Sequence, residues 1–327
     1  MSDLGRVAVL AGGLSHERDV SIRSGRRVAE ALRGVGVEVD VLDADAGLLP
    51  GLALDRPTAV FPLLHGAQGE DGAVRGVLEL LRLPYVGATP AASRTAFDKP
   101  VARALVAAVG LAVPEGVVLP HSTFRELGAA TLLDAIVARI GLPLVVKPAR
   151  GGSALGCAVV RDPADLPAAM VSCFAYGEDA LVERYVTGTE VAVSVVDTGS
   201  GSVALPAVEI VPDGGMYDYE ARYTAGESEF FVPARLDAAA TSAVADVAVQ
   251  AHRVLGLRDL SRTDLIVDEA GCPWFLEANV APGMTETSLL PQSVVAAGLD
   301  LGVLARDLLH LAVARSVEVG GPVGPVG

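Results

Sequence analysis

Residues 261–280, SRTDLIVDEAGCPWFLEANV, decide how the rest of the chain is to be read. Two apolar runs flank DEAGCP, so the stretch predicts two strands joined by a hairpin loop. Residues two apart in a strand share a face, which sets Arg262 with Asp264 on the first strand and Glu277 with Asn279 on the second. A turn centred between Ala270 and Gly271 brings Asp264 opposite Glu277 and Arg262 opposite Asn279. Two carboxylates and an amide oxygen form a hard oxygen site suited to Mg²⁺, and the neighbouring guanidinium suits a phosphate or an oxyanion. Alone, the pattern equally describes a solvated polar face on an edge hairpin, so other motifs must decide.

Outward from the hairpin, the first part of the chain alternates strands and helices. RVAVLAGG, VEVDVLD, TAVFPLLHG and YVG read as strands, with SIRSGRRVAEALRGVG and DGAVRGVLELLRLP as helices between them. This predicts an open α/β domain with a parallel, Rossmann-like sheet over residues 1–88. Helical patterns followed by the strands PLVVKPA and GCAVV predict a small central α+β domain over 89–183, and long strands and hairpins a third, α+β, over 184–316. The segment 317–327, ending GGPVGPVG, has no apolar period and is expected to be a disordered tail.

Composition narrows the function classes. The 327 residues carry 40 acidic against 25 basic side chains, a net charge of −15, which opposes general nucleic-acid binding. No apolar run reaches bilayer length, and the N-terminus does not read as a secretory signal. Cys157, Cys173 and Cys272 are too scattered for a disulfide framework or a CxxC metal site, which fits a reducing cytoplasm.

Four further motifs carry chemistry. LVVKPARGGSALGCAVV, residues 144–160, ends a strand at Lys147 and enters a glycine-rich turn holding Gly151, Gly152, Ser153 and Gly156. It is no Walker A loop, but its backbone N–H groups can cover phosphates. Lys147, and Lys99 in AFDKP, can supply positive charge, although a lone lysine is more often a solvated surface residue. VERYVTGTE, residues 182–190, carries Glu183 and Glu190 across a connection that can hold adenosine or serve simply as a linker. GGLSHERDVSIRSG and LHGAQGEDG end two strands and place Glu17, His65 and Glu70 where open sheets bind ligands. GxGxxG is missing, which argues against a dehydrogenase, and a simple helix cap at Ser21 is the bland alternative for the first of these loops.

Taken in order, GGLSHERDVSIRSG, LHGAQGEDG, GLPLVVKPARGGSALG, MYDYEARYTAGESEFFVPA, SRTDLI and LEANVAPGMTETSLL resemble the D-alanine–D-alanine ligases of the ATP-grasp superfamily. The resemblance runs from about residue 6 to 310. It implies the ATP-grasp fold and an enzyme that joins two D-alanines for peptidoglycan synthesis through a D-alanyl phosphate. It further implies ATP, two Mg²⁺ ions (a role Mn²⁺ can also fill), a homodimer and a cytoplasmic location, with no nucleic-acid or membrane partner.

By the same resemblance, Asp264, Glu277 and Asn279 hold metal, while Arg262 and the Gly283 N–H stabilise the acyl phosphate and the tetrahedral intermediate. Lys99, Lys147 and Ser153 meet phosphate, and Glu183, Arg184, Tyr185, Val186 and Glu190 form the adenosine pocket. Glu17 takes the first ammonium, His65 and Glu70 help place that substrate, and Ser288 holds the second carboxylate. YDYEARY resembles the lid loop, in which Tyr217 and Arg222 meet nucleotide and Tyr223 closes over Ser153 and Glu17.

Three positions depart from the family pattern. Arg222 replaces a usual lysine, Gly151 a common acid, and NVAPGMT lacks the usual Thr after Asn. A related ligase with another amino acid or hydroxy acid as acceptor, or a catalytically silent ATP-binding regulator, stays open, but Tyr223 favours the dipeptide product.

Overall fold

A computed structural model describes residues 4–212 and 228–319. The N-terminal unit runs β1 (Arg6–Ala11), α1 (Arg18–Gly34), β2 (Glu38–Asp43), α2 (Leu48–Leu54), β3 (Val60–Pro62), α3 (Ala67–Glu70) and α4 (Ala73–Leu80). The strands form a parallel sheet in the order β2-β1-β3. Both faces of β1 are buried, Val7 and Val9 against α1 and Ala8 and Leu10 against Leu52, Leu64 and Leu78. That is why RVAVLA is apolar throughout rather than alternating. YVG is not a strand, since Tyr85 makes only an isolated bridge to Val60.

Two helices follow, α5 (Pro90–Phe97) and α6 (Lys99–Ala108), capped by the side chains of Thr89 and Asp98. The sequence reading grouped them with the central domain. Instead Ala92, Ala96, Ala102 and Val106 pack into the core that also holds Val193, Leu265 and Phe275 of the last sheet.

The central unit contains β4 (Gly116–Pro120), α7 (His121–Leu127), α8 (Ala129–Ile140), β5 (Leu144–Pro148), β6 (Ala158–Val160), α9 (Leu166–Phe174) and β7 (Asp179–Arg184). Its antiparallel sheet has the order β4-β7-β5-β6. The period of the strands sorts their side chains. Leu144, Val146 and Val182 join the helices in one core, while Val145, Lys147 and Glu183 face a cleft.

The last unit comprises β8 (Thr189–Val196), β9 (Val203–Ala204), β10 (Val208–Pro212), β11 (Ser228–Phe231), α10 (Ala238–Val254), β12 (Leu260–Val267), β13 (Pro273–Asn279), α11 (Leu289–Ala296) and α12 (Leu301–Val319). Its main sheet runs β11-β10-β8-β12-β13, with β9 paired to β8. The helix α12 returns to pack Leu304, Leu308 and Leu309 into the core of the N-terminal unit. It continues to Val319, three residues into the expected tail, and residues 320–327 lie outside the described residues.

The decisive hairpin forms with the expected pairs, Arg262 opposite Asn279 and Asp264 opposite Glu277, but not by the expected route. Gly271 donates to Asp268, so the turn centres on Ala270, and Val267, Ile266 and Leu265 pair with Pro273, Trp274 and Phe275. Continued without a break, that register would set Glu277 opposite Thr263 and turn it into the core. A bulge between Asp264 and Leu265 on one side and Phe275 and Glu277 on the other removes the conflict. Phe275 and Ala278 both face the core, and Leu276 and Glu277 both line the cleft.

Candidate active site

Two clefts meet above the face of β12 and β13. One, with about 1610 Å³ of open space, runs between the central and last sheets past Lys147, Glu183, Tyr185, Val186 and Glu190. The other, of about 830 Å³, lies between the N-terminal loops and the segment after β13, past Glu17, His65, Glu70, Arg262, Gly283 and Ser288. Lys99, Gly151, Gly152 and Glu277 border both.

In the longer cleft, Glu183 is only 2% exposed and is held from two sides. Lys147 Nζ lies 2.5 Å from its carboxylate, and Arg103 pairs with it while also donating to the Pro114 carbonyl. Burial works against the Lys147 ammonium, but the charge and hydrogen bond of Glu183 outweigh it, so its pKa is raised. The residues expected to bind adenosine therefore come together, although Arg184 is exposed and its guanidinium sits over the Trp274 ring at 5.0 Å. Cys157 also lines this cleft, its thiol pushed up by burial.

The glycine-rich loop bends over the junction. Lys99 Nζ donates to the Gly151 carbonyl at 2.7 Å and lies 3.3 Å from Glu277. Ser153 and Ala154 hold φ of 52° and 55°, left-handed values that side chains seldom adopt, and the Ser153 hydroxyl donates to Glu17. Gly66 approaches Glu17 from the other side, where a Cβ would stand 2.6 Å from the carboxylate and φ is +72°. Only glycine fits there.

Glu70 accepts the Gly66 N–H at 2.9 Å, and its carboxyl is pushed up to about 8 by burial, with Glu17 adding to the shift. His65 Nδ1 lies 2.9 Å from the Ala281 carbonyl, an acceptor only, so that nitrogen carries the hydrogen. Nε2 faces Ser24 Oγ at 3.4 Å, and burial lowers the ring's pKa. Ser21 is not a cap: α1 starts at Arg18, and Ser21 Oγ accepts from Gly12 N–H and donates to the Leu63 carbonyl, tying the two N-terminal loops together.

On the floor, Arg262 makes a two-pronged bond to Asp264 at 2.6 and 2.8 Å. Asn279 Oδ1 accepts the Ala281 N–H at 2.7 Å. Among the described residues no three His, Cys, Asp or Glu side chains form a self-sufficient metal cage. Asp264, Glu277 and Asn279 nevertheless fit Mg²⁺, which takes few protein oxygens and completes its shell with water and substrate phosphate.

Thus Glu17, His65, Glu70, Ser153, Arg262, Gly283 and Ser288 converge on the smaller cleft, while Lys99, Asp264, Glu277 and Asn279 lie at or beside the junction. Tyr217, Arg222 and Tyr223 lie outside the described residues. Sequence reasoning missed Arg103, which follows Lys99 by one helical turn and so shares its face of α6, a spacing that could have revealed it. It also missed Ser24 and Arg27, which contact the segment after β13.

The family described as D-ala D-ala ligase C-terminus matches residues 105–310, and that described as D-ala D-ala ligase N-terminus matches residues 49–88. A D-alanine–D-alanine ligase of Anaeromyxobacter dehalogenans is 45% identical over 311 residues, covering 95% of this chain and 98% of the relative. One from Bordetella petrii is 39% identical over 312 residues, covering 95% and 93%. Among solved structures, the D-alanine–D-alanine ligase of Bacillus anthracis complexed with ATP aligns with a TM-score of 0.80 at 27% identity, covering 98% of this chain and 100% of that one. The VanG D-Ala:D-Ser ligase of Enterococcus faecalis aligns at 0.81 and 27%, covering 94% and 99%.

Proposed function

Because the chain belongs to the D-alanine–D-alanine ligase family, we propose that its residues divide an ATP-dependent joining of two D-alanines as follows. The protein is an ATP-dependent ligase that makes D-alanyl-D-alanine for peptidoglycan precursors. What supports the division of roles is the junction of the two clefts at Lys99, Gly151, Gly152 and Glu277, which sets the end of a long nucleotide-sized groove against a small polar pocket.

A carboxylate is a poor acyl donor because its leaving group would be oxide, so the first D-alanine must be activated. Its ammonium pairs with Glu17, which Ser153 and Gly66 orient. A neutral Glu70 leaves Glu17 as the carboxylate of the two N-terminal loops that meets that ammonium. ATP lies in the long groove, its base edge toward Glu183 and the Tyr185–Val186 backbone and its ribose toward Glu190. Lys99 and Lys147 offset phosphate charge while a substrate carboxylate oxygen takes the γ-phosphoryl group and ADP departs with the bridging oxygen. Asp264, Glu277 and Asn279 would hold Mg²⁺, whose contribution when bound is to neutralise the phosphates and align them. The second D-alanine is held through its carboxylate by Ser288, and its amino group, after giving up a proton to solvent, attacks the acyl phosphate. The oxyanion that forms is stabilised by Arg262 and the Gly283 N–H, donors of a kind worth roughly 10²–10³ in rate, and inorganic phosphate leaves.

Arg262 must exchange its bond to Asp264 for one to substrate in this scheme. The shared strand face makes that a rotation of one side chain rather than a movement of the sheet. The family expectation of a homodimer is carried forward in the same proposal and is checked by light scattering. Among the described residues no helix is long and apolar enough to cross a membrane.

The deciding experiment is phosphate release from ATP and Mg²⁺ with D-alanine, with D-serine, D-lactate and L-alanine as comparisons and mass analysis of the product. D-alanyl-D-alanine formed in step with phosphate is the expected result. Phosphate release on a different acceptor, with no dialanine, would overturn the assignment of substrate, and ATP binding without turnover would overturn the catalytic roles.

A further inference from the structure

One face of α1 touches the segment after β13 residue by residue. Val20 lies 4.0 Å from where a Gly283 Cβ would stand. Ser24, fully buried, accepts the Met284 N–H at 2.9 Å. Arg27 donates to the Thr285 carbonyl, and Arg23 reaches Glu286 at 3.2 Å. Positions 20, 23, 24 and 27 form a single stripe at helical spacing, so a rigid element reads four successive residues of an irregular segment.

Glu17 opens the same stripe, three residues before Val20. The contacts then pass inward. Thr285, held at its carbonyl by Arg27, donates its N–H to Ser288 Oγ at 2.9 Å, and its hydroxyl lies 2.8 Å from the same oxygen. Ser288 Oγ in turn stands 2.7 Å from the Cβ position of Gly283, so the hydroxyl and the backbone of Gly283 occupy one small space. Met284 has its N–H committed to Ser24, and the neighbouring Gly283 lines the smaller cleft.

We propose that Ser24 and Arg27 are positioning residues for the acceptor half of the site. They clamp residues 284 and 285 so that Ser288 and the Gly283 N–H stand at a set distance from Glu17. This rests on the ligase reading above. The clamp acts after phosphorylation: it aligns the second amine with the acyl phosphate, and when it loosens, water competes with that amine for the same carbonyl carbon and returns D-alanine and phosphate. Neither residue lines the long groove proposed for ATP, which separates this role from general support of the fold.

The test uses the full-length protein with Arg27→Met, which keeps the aliphatic stem and loses the donor, and Arg27→Lys, which retains a cationic donor. Five quantities are read: KM for the first D-alanine, KM for the second, phosphate released per dipeptide formed, KM for ATP and the thermal midpoint. The expected result for Arg27→Met is an acceptor KM raised about tenfold, the size of one lost charge-assisted hydrogen bond. Phosphate should rise above one per dipeptide, with KM for ATP unchanged. Arg27→Lys should restore most of both. Ser24→Ala should show the same uncoupling, and the double variant less than the product of the two effects.

An unchanged acceptor KM with one phosphate per dipeptide overturns the proposal. So does a rise in both acceptor and ATP KM that tracks a fall in thermal midpoint, because Arg27 would then only hold the fold together. Absence of D-alanine-dependent phosphate release in the wild-type protein would bring down the ligase reading itself, a result distinct from an active but fully coupled Arg27→Met variant.

Discussion

Exchanging Glu70 for Gln is a near-isosteric change whose effect on stability should depend on pH. Glu70 is 7% exposed, and its carboxyl is pushed up to about 8, first by burial and then by the charge of Glu17. In the unfolded chain the same group titrates near its ordinary value of 4.5. Between those values the folded protein keeps a proton that the unfolded chain has lost, so stability drops as pH rises, by about 1.4 kcal/mol per pH unit. Glutamine has no proton to lose at this atom, and its Oε1 can still accept the Gly66 N–H. Between about pH 5.5 and about pH 7.5 the stability difference should therefore move by about 3 kcal/mol in favour of the variant. Parallel urea denaturation of both proteins across that range measures the difference directly. An offset that stays constant across the range would mean that Glu70 is ionised in the folded protein, and the account of a neutral Glu70 beside Glu17 would fail. The same account expects Glu70→Gln to keep KM for the first D-alanine within about threefold, whereas Glu17→Gln, which removes the charge that meets the ammonium, should raise it by ten- to a hundredfold, roughly.

Arg103→Met leaves buried Glu183 with Lys147 as its remaining cation in the pair, and KM for ATP should rise about tenfold or more while KM for D-alanine holds; an ATP titration at saturating D-alanine decides. Asp259 is 1% exposed and accepts from Arg315 at 2.6 and 2.7 Å and from the Gly87 N–H at 2.7 Å, joining α12 to the chain entering α5. Asp259→Asn should cost about 2–4 kcal/mol of stability with KM for ATP unchanged, so an unaltered thermal midpoint would contradict the reading. Glu277→Gln removes one of the two carboxylates proposed to hold Mg²⁺ and should weaken divalent-ion binding about tenfold; Mn²⁺ titration followed by magnetic resonance measures that without turnover.

Much of this site could be read before any coordinates. The pairs Arg262–Asn279 and Asp264–Glu277 follow from a period of two and a short loop, and those residues do stand opposite one another. Glu17, His65 and Glu70 follow from the rule that loops at the carboxyl ends of parallel strands carry ligands, and they meet in one cleft. The right pairs nonetheless arose from the wrong turn, since a bulge near Leu276 made up for a centre shifted to Ala270. Strand periodicity has no term for an inserted residue. Only the demand that Phe275 and Ala278 both reach the core reveals it.

The sequence by itself determined many of the strands and the longer amphipathic helices, though not YVG or the short helices α2 and α7, and which residue types could carry phosphate and carboxylate chemistry, because these depend on local spacing and side-chain type. Tertiary structure decided where α5 and α6 belong, why Glu183 needs Arg103, and how Ser24 and Arg27 reach residues 284 and 285. Each is a contact across dozens to hundreds of residues, set by the closing of one sheet or helix on another. Such contacts leave no period in the chain, because the geometry that makes them exists only after the cores have packed.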